Sequence, residues 1–211
     1  MRFNNLLLPL IILSLIVAAS CTGEEQPDTH NVQEHAQSDH SSMEAGQPSD
    51  HSIYHAGSTW LNRNNEEIGL ESLRGKIQVV AMVYTHCDFA CPRIIADMKR
   101  IESSLSPEEL ANTNFVIVSI DPERDTPERL STFAEENNLD PQNWTLLNGD
   151  SGDILELAAL LGVKYRRISD NDFSHSNIIT VLNRDGEVAY TQQQIGNQPT
   201  NTIRTIKELA G

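Results

Sequence analysis

The hydrophobic pattern divides the chain into three unequal stretches. A run of mainly apolar residues from Leu6 to Val17 follows the single charge of Arg2. Residues 22–56 then hold few apolar side chains, and from Ser58 onward apolar segments of strand and helix length alternate. Ser58–Asn62 and Glu67–Leu70 predict a short hairpin around Arg63–Glu66. Ile77–Tyr84 (IQVVAMVY) is a continuous apolar run, the signature of a central strand covered on both faces. Pro92–Leu105 predicts a helix, with Ile94, Met98, Ile101 and Leu105 on one stripe. Phe115–Ile120 (FVIVSI) is a second buried strand. Thr126 caps a helix that starts at Pro127 and runs to Asn137. Trp144–Leu147 is a short strand, and Asp153–Leu161 is a helix ended by Gly162. Asn177–Asn183 and Glu187–Gln193 are strands joined by Arg184-Asp185-Gly186, a hairpin signal. Thr200–Leu209 closes the chain as a helix.

This order predicts an α/β domain with a thioredoxin-like fold: a central mixed β-sheet flanked by helices, with an N-terminal β-hairpin. The domain takes residues 57–211. About 150 residues suffice to bury roughly two-thirds of their unfolded surface.

The first stretch is too short for a comfortable membrane-spanning helix, which needs about 20 residues, but it suits a secretory signal. Ala18, Ala19 and Ser20 before Cys21 resemble a bacterial lipoprotein signal, although Ala18 stands where Leu is more common. On that reading residues 1–20 are removed and Cys21 is lipidated. The protein is then a membrane-anchored lipoprotein on the extracytoplasmic, periplasmic side. The competing reading is an ordinary signal peptide or uncleaved anchor in which Cys21 is incidental.

Residues 21–56 read as a disordered, His-rich acidic tether. Glu24, Glu25, Asp28, Glu34, Asp39, Glu44 and Asp50 face no Lys or Arg, and so polar a stretch cannot offset its ordering entropy by burial. As a flexible coil it spans roughly 30–35 Å. Five of the seven histidines lie here, His30, His35, His40, His51 and His55. Such a tract can collect copper or zinc, or be an ordinary polar linker. The whole chain carries a formal charge of −15 and a pI near 4.7. That argues against nucleic acid or an anionic lipid face as the main partner and suits a cationic protein surface.

With Cys21 set aside, Cys87 and Cys91 remain, three residues apart. A disulfide this local closes almost no loop and adds little stability. In an oxidising compartment the pair points to redox chemistry or a metal. It sits where a buried strand gives way to a helix, with Pro92 suited to the first helical turn. Cys91 is therefore placed at or beside the N-cap, where unpaired N–H groups and the positive end of the helix should favour both thiolates. The three-residue spacer gives a wider bite than a two-residue one. Two thiolates select Cu(I), and an added imidazole allows Cu(II) as well.

The segments Leu73-Arg74-Gly75-Lys76, Val79–Tyr84, Tyr84-Thr85-His86-Cys87 and Cys91-Pro92 resemble the Sco/SenC family. So do Val118-Ser119-Ile120-Asp121-Pro122-Glu123-Arg124-Asp125-Thr126-Pro127 and His175-Ser176, so that the resemblance covers nearly all of the globular part. It implies that Cys87, Cys91 and His175 bind copper. It also implies a metallochaperone for the binuclear copper centre of cytochrome c oxidase, with the copper-bearing subunit of that oxidase, or another copper or thiol protein, as partner. A thiol–disulfide reductase that keeps copper-ligand cysteines reduced through Cys87 and Cys91 is the compatible alternative. Two positions depart from the family pattern: Asp88 replaces the usual proline and Ser174 the usual aspartate.

His175 follows Asp172-Phe173-Ser174 in a predicted loop before the strand at Asn177, across from the cysteine loop in this fold. Related thioredoxin-like proteins place a cis-proline at that junction, and its absence here speaks against general reductase or peroxidase chemistry. His86, next to Cys87, is the rival third ligand. Tyr84 and Met98 read as core, and Asp121 and Asp125 as turn and capping residues.

Overall fold

The computed structural model describes residues 51–170 and 172–211. The expected signal segment, Cys21 and nearly all of the expected tether lie outside the described residues.

Nine strands and five α-helices are present among the described residues. β1 (Thr59–Asn62) and β2 (Glu67–Gly69) form the expected N-terminal hairpin. β3 (Ile77–Val83) and β4 (Thr113–Ser119) are buried at every position, as strands covered on both faces must be. They pair in parallel, and β5 (Trp144–Gly149) continues the parallel set beside β4. β8 (Ile179–Leu182) joins β3 antiparallel, and β9 (Val188–Gln192) pairs with β8. The resulting seven-stranded sheet runs β2-β1-β5-β4-β3-β8-β9, a central mixed sheet with β3 and β4 deep inside it.

Local chemistry fixes the flanking helices. α1 (Cys91–Ser103) buries Ile94, Met98 and Ile101, the stripe read from the sequence. A short α2 (Pro107–Ala111), not expected, starts at a capping box of Ser106 and Glu109. Thr126 accepts from the Arg129 N–H at the start of α3 (Pro127–Glu136). α4 (Ser151–Leu161) ends at Gly162 in the left-handed conformation (φ 70°), which glycine adopts without a Cβ clash. α5 (Thr200–Ala210) closes the chain. None of these helices is long and apolar enough to cross a membrane.

Two features depart from the sequence reading. The packed domain begins before the expected boundary at residue 57. Ile53, Tyr54 and Ala56 are buried, and the Ile53 N–H and Ser52 hydroxyl bond the carbonyls of Gly186 and Asp185, at 3.1 and 2.5 Å. The apolar pair Ile53-Tyr54 is what ties this segment down. The second departure matters more for function. The segment expected as a loop before Asn177 is instead a strand, β7 (Asp172–His175), paired antiparallel with β6 (Tyr165–Ser169). This two-stranded sheet stands apart from the seven-stranded one.

Candidate metal centre

The C-terminal end of β3 delivers the first two ligands. After Val83 the chain leaves the sheet, turns at Tyr84 with the Cys87 N–H bonded to the Tyr84 carbonyl (3.3 Å), and enters α1 at Cys91. The cap position, Ala90, offers no side-chain acceptor. Cys87 Sγ fills that role, receiving the Cys91 N–H at 3.4 Å. Cys91 thus stands beside the cap, as the Cys91-Pro92 pair predicted. Both thiols are free.

The two sulfurs differ sharply in environment. Burial acts to raise the Cys87 thiol, but the N–H groups of Cys91, Phe89 and Ala90 around its sulfur outweigh that and hold it below the ordinary range. Cys91 is 1% exposed. Its burial, with the neighbouring Cys87 sulfur and the Asp125 charge, pushes the thiol up. The expectation that the helix start favours both thiolates therefore holds for Cys87 alone. At Cys91, desolvation outweighs the helix terminus.

The third group arrives from the separate hairpin. His175, the last residue of β7, brings Nε2 to 3.8 Å from Cys91 Sγ. Its Nδ1 lies 3.2 Å from the Ser176 carbonyl oxygen. Since a carbonyl only accepts, the proton belongs on Nδ1, leaving the Nε2 lone pair facing the thiols. Burial lowers the imidazole's proton affinity, against the opposing effects of the Ser176 carbonyl and the Asp172 charge. The lowered proton affinity favours the neutral ring, the form that ligates metals.

One donor atom each from Cys87, Cys91 and His175 falls within 4.8 Å of the others. Three donors bonded at about 2.0–2.3 Å to one ion in a plane lie roughly 3.7 Å apart, so the residues fit a single metal ion with little rearrangement. Two thiolates and an imidazole form a soft set suited to copper.

His86 is not part of this group. Its Nδ1 lies 3.2 Å from Thr85 Oγ1 and 3.4 Å from Asp125 Oδ1. His86, Asp121 and Asp125 also cluster, but cations and donors already engage the carboxylates. Asp121 pairs with Arg124 and faces Arg167 at 3.7 Å. Asp125 accepts from Thr85 N (2.9 Å), Thr85 Oγ1 (2.6 Å) and Ser119 Oγ (2.7 Å). Asp125 thereby locks the residue from which the cysteine loop departs, a larger role than the turn and capping one read from the sequence. Met98 is core, as expected.

Sequence reasoning missed the part played by Tyr84. Its hydroxyl donates to Asp172 Oδ1 at 2.5 Å, and its ring packs on Phe173 and edge-on to His175, with centroids 5.3 and 5.9 Å apart. The available signal was a tyrosine at the end of a wholly buried strand, where the hydroxyl needs a partner.

A mixed-sheet thioredoxin-like domain carrying two thiols at a strand-to-helix junction, faced by an imidazole from a separate hairpin, is a variant of that fold with a candidate metal site. The SCO1/SenC family model matches residues 47–211. The chain belongs to the SCO1/SenC family. It is similar to the SCO1 protein homolog of Bacillus subtilis, 28% identical over 148 residues, which are 69% of this chain and 76% of that protein. Among solved structures it is similar to BsSco, described as a member of the Sco family of cytochrome c oxidase assembly proteins. There the identity is 27% and the TM-score 0.62, over 78% of this chain and 98% of that one. The copper-bound structure of Bradyrhizobium japonicum ScoI shares the fold, with 22% identity and a TM-score of 0.62 over 72% of this chain and 96% of its own.

Proposed function

We propose that this protein is a copper metallochaperone that serves assembly of the binuclear copper centre of cytochrome c oxidase. Copper is its cargo, and the oxidase's copper-bearing subunit receives it. The observation that carries the reading is the convergence of Cys87, Cys91 and His175 donors within 4.8 Å, from segments far apart in sequence. Family membership, the copper held by ScoI and the assembly role stated for BsSco support it. Cys87 is half-buried and Cys91 buried, so the site can hold an ion while leaving one sulfur reachable by an acceptor's ligands. Lipidation at Cys21 and a tether from it would keep this domain on the extracytoplasmic side, close to a membrane-embedded target. Metal analysis of the reduced protein tests the reading. It should bind one copper per chain and lose it in Cys87→Ser and Cys91→Ser. Full copper retention in both variants would refute the site.

The unequal thiols favour a second activity of the same pair. The Cys87 thiolate can attack a target disulfide, expelling one target thiolate and forming a mixed disulfide. The Cys91 sulfur, once deprotonated, then attacks Cys87 Sγ, releasing the second target thiolate and leaving a Cys87–Cys91 disulfide. Two electrons pass to the target, so the activity needs a reductant to reset it. Trapping the mixed disulfide with Cys91→Ser would reveal it, and a failure to trap any would remove it.

A further inference from the structure

We propose that Tyr84 and Asp172 form a positioning pair that docks the β6–β7 hairpin and so sets His175 against the two thiols. The inference rests on the three-ligand reading above, and it concerns what holds the third ligand in place.

Among the described residues the hairpin has no strand pairing with the main sheet, so side-chain contacts help fix it. Contacts with Tyr84, Asp121 and Glu123 are among these, the edge-on Tyr84–His175 ring contact included. Phe173 buries its ring against Tyr84. Arg167, on the same face of the hairpin, lies over Phe173 at 5.1 Å. Arg167 also reaches Glu123 at 3.1 Å and Asp121 at 3.7 Å. The Glu123 partner is 74% exposed, and an ion pair in that setting holds little. A further contact is the Tyr84 hydroxyl on Asp172 Oδ1, which also accepts the Phe173 N–H at 2.9 Å.

The Tyr84 contact, like the longer Arg167–Asp121 pair at 3.7 Å, joins a buried group of the domain body to the hairpin, and it is the shorter of the two. Tyr84 is 4% exposed and belongs to the body of the domain, whereas Asp172 belongs to the hairpin. If the hairpin lifts away, the hydroxyl exchanges its charged acceptor Asp172 for water, and a hydrogen bond to a charged partner is worth more than an ordinary one. Docking the hairpin satisfies that hydroxyl, and docking is also what brings His175 Nε2 to Cys91. A phenylalanine at position 84 would keep the ring contacts and remove the coupling. The hydroxyl also lies within interaction range of Cys87, so the test must separate its two neighbours.

The experiment compares Tyr84→Phe, Asp172→Ala, Asp172→Asn and the Tyr84→Phe/Asp172→Ala double variant, using the intact protein with Cu(II) and Cu(I) as probes. Cu(II) binding depends on the imidazole, while Cu(I) can be held by two thiolates. Chelator competition should show Cu(II) affinity about tenfold weaker in Tyr84→Phe and in Asp172→Ala, with Cu(I) affinity within about twofold. The double variant should be no worse than either single one, since both break one contact. Asp172→Asn, which keeps an acceptor oxygen, should restore most of the loss. In the metal-free protein, amide hydrogen exchange in the hairpin should quicken in Tyr84→Phe while that of β3 and β4 stays unchanged.

Unchanged hairpin exchange, unchanged Cu(II) affinity, an equal loss of Cu(I), or additive losses in the double variant would each overturn the pairing. The three-ligand reading is judged separately. It fails if His175→Ala leaves Cu(II) binding intact, whereas an effect of His175→Ala without one of Tyr84→Phe refutes the positioning pair alone.

Discussion

His175 Nε2 and Cys91 Sγ, 84 positions apart in the chain, lie 3.8 Å from each other. One partner opens a helix that packs on the central sheet, and the other ends a hairpin outside it. The imidazole is thus the ligand whose removal should disturb the body of the domain least. His175→Ala is expected to lower Cu(II) affinity by roughly 100-fold, the scale on which metal sites respond to lost ligand support. It should leave Cu(I) held by the two sulfurs. Chelator competition in both oxidation states measures this, and equal losses in the two states would argue against distinct roles for imidazole and thiols.

The two cysteines should react at different rates. Cys87 is half-buried, with its thiol held below the ordinary range by surrounding N–H groups, while Cys91 is buried and its thiol pushed up. In the reduced, metal-free protein, brief iodoacetamide treatment at neutral pH should label Cys87 first. The pH midpoint of that reaction should fall below the ordinary thiol value of about 8.5. Peptide mass spectrometry reads the order directly, and preferential labelling of Cys91 would contradict the assigned environments.

His175 also predicts how stability follows pH. Burial lowers its proton affinity in the folded protein, whereas in the unfolded chain the imidazole takes up a proton near its ordinary value of about 6.5. Between the folded and unfolded values the unfolded chain binds more protons, so stability rises with pH across that window. The metal-free protein should therefore weaken as pH falls below about 6.5. His175→Asn, which cannot titrate, should show a shallower dependence there. Urea midpoints at three pH values for both proteins test this, and matching slopes would show that His175 is not protected from protonation.

Much of this architecture was legible because burial leaves a strong mark on sequence. The apolar runs of β3 and β4, the Ile94-Met98-Ile101 stripe, the Thr126-Pro127 cap and Gly162 each reflect one local physical demand. The thiol pair was legible for the same reason, since strand, cysteine loop and Pro92 lie together. The β6–β7 hairpin was not. Tyr165-Arg166-Arg167-Ile168-Ser169 is largely exposed and shows no alternation of buried and polar positions, because the hairpin covers the domain mainly through Phe173. A strand that buries one ring leaves almost no periodic signal. The Tyr84–Asp172 and Thr85–Asp125 contacts were hidden for another reason: each joins residues far apart in the chain, and only the folded sheet brings them together.

Asp125 supplies the last prediction. Its carboxylate is inaccessible to solvent and accepts from the Thr85 N–H, the Thr85 hydroxyl and the Ser119 hydroxyl. Arg129 Nε bonds the same Thr85 oxygen at 3.0 Å. Thr85 is two residues before Cys87, so this network fixes the direction in which the cysteine loop leaves β3. Truncation at Asp125 strands three donors, each costing about 1–3 kcal/mol when left unpaired in a dry site, partly offset by water or by repacking. A fall of roughly 3 kcal/mol is expected for Asp125→Ala, or about 6–12 °C in Tm for a domain of this size. Asp125→Asn should destabilise less, because one oxygen still accepts. If the carboxylate also aims the loop, Asp125→Asn should weaken Cu(I) and Cu(II) together, since both thiolates depend on that loop. That pattern is the opposite of the Cu(II)-selective loss expected for His175→Ala. Thermal unfolding and chelator competition on the same preparations separate the two effects. An Asp125→Ala protein with wild-type Tm would mean that Thr85 finds other partners and that the loop is held by some different contact.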